Sequence, residues 1–348
     1  MESLVGNRIK NARILKCLSQ QNVAEEIGIS KQMVSKYEKG EALPTSSKLI
    51  KLSKLFGLKI DYFFSSFQIE LGEINFRKKS TFSIKKQNSL KEQIKIRLEN
   101  YLWVEDLLSI DYTFKNTIQD KEIETIEDVE KVVLQLRNEW EIGIDPIHNI
   151  IQLLEDLEIK IIELFDVDEH FDGMATYVNN KFPVIVVNGN FPVERKRFTL
   201  LHELGHLLLN LKECSSKQEE NFCNKFASEF LFPKQMVIKE FGGKRDRITL
   251  TELIANQKKY GMSIPAIVYR LVDAGILSKQ RHTSFYKKIR FNPSLDREVN
   301  LTRFETPENS NRFEQLVYRA LAQEKISFSK ASSLLNKNIE DIRESSLI

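Results

Sequence analysis

One stretch constrains this chain more than any other. Arg195-Lys196-Arg197-Phe198-Thr199-Leu200-Leu201-His202-Glu203-Leu204-Gly205-His206-Leu207-Leu208-Leu209 holds no proline and one glycine, and is expected to form a single helix. His202 and His206 are i and i+4, so both imidazoles leave one face. Leu201, Leu204, Leu207 and Leu208 bury the other sides. Three ionisable groups set in so apolar a helix need a partner, and a metal ion is the natural one. Neutral imidazole suits zinc, and Glu203, beside the first histidine, can reach a water on such an ion and act as general base. Zinc is expected; manganese is also compatible.

A catalytic zinc site takes three protein ligands and keeps a fourth position open. A second helix begins at Glu219-Glu220-Asn221-Phe222-Cys223-Asn224, and Pro233 ends it. Its apolar face is Cys223, Phe226, Ala227, Phe230 and Leu231. Glu220 and Asn224, i and i+4, adjoin that face: Glu220 could ligate the metal while Asn224 supplies a supporting hydrogen bond. Glu219 points more outward and is the weaker candidate. Cys223 is either a soft ligand or a small packing residue. His170 and His282 could face a substrate or be ordinary surface residues.

The flanks add topology. Helical periodicity runs over 125–157, with Val129, Val132, Val133, Leu136 and Trp140 on one face and a restart at Asp145-Pro146. The period then changes. Residues 159–165, 173–178 and 183–188 read as strands. The strand Val184–Asn188 could present a sheet edge to a peptide or lie buried in the core.

These pieces together resemble the ImmA/IrrE family of metallopeptidase domains: DPIHNIIQLLEDLEIKI, PVIVVN, RKRFTLLHELGHLLL and EENFCNKFASEFLFP, in family order over about residues 125–235. SIPAIVYRLVDAGILS resembles the helical continuation. The resemblance implies metal ligands at His202, His206 and Glu220 and the base at Glu203. It also implies a repressor-type protein as substrate. Cys223 stands where the family usually has alanine. The oxyanion stabiliser is unassigned, with Tyr177 and His170 as the candidates.

The front of the chain has a different logic. Ser19 is a good N-cap for a helix over 20–27 with Val23, Ala24 and Ile27 inward, and Gly28 is a left-handed stop. Ile29 plugs a core and Ser30 caps a third helix, 31–39. An earlier helix runs from Asn7 to Leu15, and a fourth opens at Pro44-Thr45 with Leu49, Leu52 and Phe56 apolar. Two helices joined by Gly-Ile-Ser have helix-turn-helix geometry, and the second enters the major groove. Lys31, Gln32, Ser35 and Lys36 are then the base-edge candidates, and Gln20 and Gln21 the phosphate contacts. The stretch SQQNVAEEIGISKQMVSKYEKGEALP resembles the XRE (lambda-Cro-like) repressors. That resemblance implies a double-stranded DNA operator, bound as a homodimer on two half-sites. Fusion to an ImmA/IrrE-like part resembles an arrangement of bacterial and mobile-element regulators.

Charge agrees with this division. Residues 1–100 hold 19 Lys/Arg against 10 Asp/Glu, whereas the remainder holds 33 against 39, so only the front favours a polyanion. Phe76-Arg77-Lys78-Lys79-Ser80, followed by Lys85-Lys86, could touch phosphates or be a solvated linker. Three cysteines, Cys17, Cys214 and Cys223, without CxxC spacing argue against a disulfide scaffold. The first residues lack a signal-peptide core, and no apolar run is long enough to cross a bilayer, so a cytoplasmic protein without a membrane partner is expected.

The expected fold is α+β and mostly helical: a five-helix helix-turn-helix domain over 1–66, a helical connector over 67–120, a zincin-like domain with a small sheet and the HExxH helix over 121–278, and a helical extension over 279–348. The expected activity is metalloendopeptidase action on a regulator protein. The competing reading is a non-catalytic repressor or antitoxin-like regulator with a structural or sensing metal, which would not require Glu203.

Overall fold

The computed structural model describes residues 2–72, 83–211 and 214–345. It begins with five helices: α1 (Glu2–Leu15), α2 (Gln20–Ile27), α3 (Lys31–Lys39), α4 (Ser46–Phe56) and α5 (Asp61–Phe64). The caps are those the sequence offers. Ser19, Ser30 and Thr45 accept from the backbone amides of Asn22, Met33 and Lys48, and Gly28, Gly40 and Gly57 close their helices in the left-handed region. Val5, Ile9, Ala12, Val23, Ala24, Ile27, Val34, Leu49, Leu52, Phe56 and Phe63 form their common core. α1 starts earlier than its apolar pattern suggests and runs through Gly6. A Cβ at Gly6 would lie 2.4 Å from the Tyr37 carbonyl oxygen. Packing of α1 on α3 therefore overrides glycine's low helix propensity. A long helix, α6 (Ile84–Leu107), follows, and Glu99 on it receives Arg8 of α1 in a buried ion pair at 2.5 Å.

The middle of the chain continues with α7 (Ile126–Glu139), α8 (Ile150–Asp156), β1 (Lys160–Leu164), β2 (Gly173–Val178), β3 (Phe182–Asn188), α9 (Val193–Leu208), α10 (Ser216–Leu231), α11 (Lys234–Phe241), α12 (Leu250–Tyr260), α13 (Ile264–Asp273), α14 (Lys279–Arg290) and α15 (Pro293–Val299). The sheet order is β1-β3-β2, with β1 parallel to β3 and Ile162 opposite Val186. β3 is central and buried from Pro183 to Asn188, so it offers no edge. Its near-continuous apolar run is what a strand flanked on both sides demands. β2 lies at an edge, and Asn179 and Asn180, both at φ 52°, lie in the three-residue turn that leads into β3.

The helix expected at Asp145-Pro146 starts later, at Ile150, capped by the Asn149 side chain. The intervening carbonyls are committed elsewhere. Arg137 donates to Gly143 O at 2.6 Å and to Asp145 O, and Arg197 donates to Ile147 O at 2.7 Å. Two buried guanidiniums thus hold 143–148 out of the helix.

The chain ends with α16 (Arg312–Ala322), α17 (Phe328–Leu335) and α18 (Ile339–Glu344). Tyr101, Val104 and Leu108 pack with Leu316, Val317, Ala320 and Ala331. Two compact units result. One comprises Met1–Asp111, Val178–Asn180 and Asn311–Ile348; the other comprises Tyr112–Tyr177 and Lys181–Ser310. The stretch 279–348, read from sequence as one extension, contributes to both. Its α14 and α15 belong with the HExxH helix, and its last three helices belong with α6. Among the described residues no helix is long and apolar enough to cross a membrane.

Candidate functional site

α9 and α10 lie against each other with Gly205 at the contact. A Cβ at Gly205 would lie 3.3 Å from Cys223 Cα and 3.4 Å from Cys223 Sγ. Cys223 is fully buried there, which makes it the packing residue of the two roles considered for it. This close approach brings His202, His206 and Glu220 together, half-buried, with one candidate ligand atom from each within 4.8 Å of the others. His202 Nε2 is 3.2 Å from His206 Nε2 and 3.4 Å from Glu220 Oε2, and His206 Nε2 is 3.7 Å from Glu220 Oε1.

The opposite ring nitrogens have oxygen partners. His202 Nδ1 is 3.0 Å from Asn224 Oδ1, and His206 Nδ1 is 3.2 Å from Glu219 Oε1. Both partners are acceptors, so each Nδ1 carries the hydrogen and each Nε2 presents a lone pair. Both Nε2 atoms and the Glu220 carboxylate converge on one point, the arrangement a cation site requires. Ligand atoms held about 2.0–2.2 Å from one ion at the tetrahedral angle lie about 3.3–3.6 Å apart. The separations of 3.2, 3.4 and 3.7 Å bracket that range, the two to Glu220 being to different carboxylate oxygens, so these residues fit a four-coordinate divalent ion. Asn224 lies beside the His202 ring, on the side away from Glu220. Glu219 does not point outward: it holds the second imidazole, a role the sequence reading missed. Adjacent carboxylates sit about 100° apart around a helix, so each of Glu219 and Glu220 can meet a different side of one histidine. That offset was the available signal.

Glu203 follows His202 on α9 and is half-buried. A Cβ at Gly173, the first residue of β2, would lie 3.2 Å from Glu203 Cγ, 2.8 Å from Thr199 Cγ2 and 3.0 Å from the Val186 carbonyl oxygen. On the same face of β2, the Tyr177 hydroxyl donates to Leu207 O at 3.4 Å. This face of the edge strand therefore runs along α9 from Thr199 to Leu207. Burial pushes the Tyr177 phenol above its ordinary pKa, so it keeps its proton. His170 is exposed on a loop, and His282 lies beside the rings of Tyr269 and Tyr286.

In the N-terminal unit Lys31, Gln32 and Lys36 are exposed on α3, and Ser35 is half-buried. Gln21 donates to Glu25 at 2.7 Å. Gln20 donates to Glu38 Oε2 at 2.8 Å, and Arg13 grips the same carboxylate at 2.6 and 3.0 Å. The basic run 76–80 lies outside the described residues; Lys85 and Lys86 lie in the first turn of α6.

A helix-turn-helix family model matches residues 9–63, and a model of the IrrE N-terminal-like domain matches residues 151–272. An SPbeta prophage-derived, uncharacterized HTH-type transcriptional regulator of Bacillus subtilis is 38% identical over 73 residues, covering 20% of this chain and 68% of that protein. The chain belongs to the helix-turn-helix transcriptional regulators. Within this regulator family it carries, in addition, an IrrE/ImmA-like domain. An uncharacterized regulator from the ATPase CF(0) region of Rhodospirillum rubrum is 35% identical over 68 residues, or 20% of this chain and 63% of that protein. An HTH-type regulator of Methanocaldococcus jannaschii is 36% identical over 58 residues, or 17% of this chain and 88% of that one. The chain spans about half to two thirds of the length of four of the curated regulators it matches. The solved structure of Bacillus thuringiensis PlcR with a peptide and DNA covers 100% of this chain and 99% of its own, at 16% identity and a TM-score of 0.18, a likeness too low to carry an argument.

Proposed function

We propose that this regulator binds a DNA operator through α3 and hydrolyses a peptide bond in a repressor-type protein, in its own chain or another, through the site on α9 and α10. The observation that carries the enzymatic half is the convergence of His202, His206 and Glu220 next to Glu203. A divalent cation held there, zinc in the first instance, supplies positive charge that polarises a carbonyl and acidifies water. Glu203 takes the proton of the attacking water and passes it to the leaving amine. Asn224 and Glu219 keep both imidazoles in the tautomer that presents Nε2. β2 supports the choice of substrate: an extended peptide can lie beside an edge strand and exchange main-chain hydrogen bonds with it.

The test is mass spectrometry of the protein mixed with repressors encoded near it, with and without a chelator. Cleavage that requires the ion and disappears in Glu203→Gln, while that variant retains its metal, is the expected outcome. Cleavage persisting in Glu203→Gln rules out the assigned base. Full metal occupancy without cleavage of any partner supports the non-catalytic reading instead.

A further inference from the structure

One geometry occurs twice in the first unit. Ser19 caps the eight-residue α2, Gly28 turns left-handed at φ 69°, Ser30 caps α3, and Val34 is buried. Near the other end Ser327 caps the eight-residue α17, Asn336 turns left-handed at φ 53°, Asn338 stands extended before α18, and Ile342 is buried. The offset along the chain is the same for all four pairs. It is also the same for Ile9 with Val317 and Ala12 with Ala320, fully buried residues of the preceding helices α1 and α16. A capped helix, a left-handed residue and a second helix entered through an extended residue, on a supporting helix, define a helix-turn-helix; α18 differs from α3 in that Asn338 makes no side-chain cap hydrogen bond.

We infer that α16–α18 form a second helix-turn-helix that docks protein rather than DNA, and that its occupant is the same module of a second copy of this chain. The offset converts the DNA-reading candidates into different chemistry. Gln20 becomes Phe328, Lys31 becomes Ile339, Gln32 becomes Glu340, Ser35 becomes Arg343 and Lys36 becomes Glu344. Phe328 and Ile339 are 39% and 38% exposed, large apolar groups where the first module has polar ones. Arg343 lies 5.7 Å from the centre of the Phe328 ring, which puts the cation and the apolar group on one surface. Two carboxylates at groove-facing positions repel a phosphate backbone. An apolar centre bordered by both signs of charge is self-complementary: in a two-fold pairing, Arg343 of each copy can meet Glu340 or Glu344 of the other. The inference rests on the operator-binding reading for its purpose, since two half-sites call for two copies.

Sedimentation velocity of the full chain without DNA tests it, so that failure of DNA reading leaves the result untouched. The wild type is expected to dimerise at micromolar concentration. Phe328→Glu and Ile339→Glu should each weaken the dimer about tenfold or more. Arg343→Glu should do the same, and adding Glu340→Arg and Glu344→Arg to it should restore association. Circular dichroism melting shows whether each variant is folded, and the charge reversals at exposed positions keep the test open should an apolar substitution unfold the module. A monomeric wild type, or a dimer indifferent to these changes, overturns the proposal.

Discussion

His206 Nδ1 lies 3.2 Å from Glu219 Oε1, while the Nε2 atom of the same ring faces His202 and Glu220. The carboxylate thereby fixes which nitrogen is left to accept a cation, and makes that nitrogen more basic. Outer partners of this kind are worth about ten- to a hundredfold in metal affinity. Glu219→Ala and Asn224→Ala should each lower zinc affinity by that order while leaving the fold intact. Competition against a chromogenic chelator reads the affinity directly. Unchanged affinity in both variants would mean that the two side chains do not orient the rings.

Gly205 sets the spacing of the two helices that carry the site. A valine there drives its branches into Cys223, whose Cα already lies 3.3 Å from the nearest Cβ position. Overpacking of a filled contact costs about 1–3 kcal/mol. Gly205→Val should lose that much on urea unfolding and bind zinc more weakly, because α10 moves and takes Glu220 with it. Gly205→Ala should show a smaller effect in the same direction.

The parts that follow from local chemistry were legible in the sequence. Serine and threonine caps, left-handed glycines and the spacing of His202 and His206 each act within one or two turns, and each stands where it was read. The rest depends on packing between distant segments. β3 is central because of strand order, which its own residues do not encode. α8 starts late because Arg197, nearly fifty residues on, claims the Ile147 carbonyl. The second helix-turn-helix is not legible locally, because Asn336 takes the left-handed turn that Gly28 takes in the first, and Asn338 is extended like Ser30 but forms no side-chain cap.

Arg197 and Glu308 form an ion pair with both side chains fully buried. Burial raises the Glu308 carboxyl pKa and lowers that of the guanidinium, while their mutual attraction opposes both shifts. Glu308 also accepts from the Ile150 amide at 3.2 Å, so it ties the start of α8 to the HExxH helix. Removing one member of a buried pair leaves the other without its counter-charge, typically at about 3–5 kcal/mol. Glu308→Ala should lose stability on that scale in denaturant. Replacing both residues by apolar ones should recover part of it.

Glu252 closes the capping box of α12 with Thr249 and receives Arg245 at 2.7 Å. The Arg245 hydrogen bond, with those from Thr249, holds its carboxyl pKa down at about 2. The folded value lies below the unfolded one, so its stabilisation is present above about pH 4.3 and fades as pH falls toward 2. The difference in melting temperature between wild type and Glu252→Gln should therefore be larger at pH 6 than at pH 3. A difference independent of pH would show that the ionised carboxylate is not what stabilises the cap.

On the operator-binding reading, α3 divides its work between Gln32 and Lys36. Both are exposed, whereas Gln20 is held by Glu38, which Arg13 also grips. A glutamine amide discriminates bases through paired hydrogen bonds, so Gln32→Ala should cost about 1–3 kcal/mol on the operator and little on unrelated DNA. A lysine contributes charge to any duplex, so Lys36→Ala should weaken both and flatten the salt dependence. Glu38→Ala releases Arg13 and Gln20 together and should lower operator affinity through loss of order at the start of α2. Fluorescence anisotropy across a salt series separates the three. Equal losses on operator and random DNA for Gln32→Ala would remove that residue from base reading.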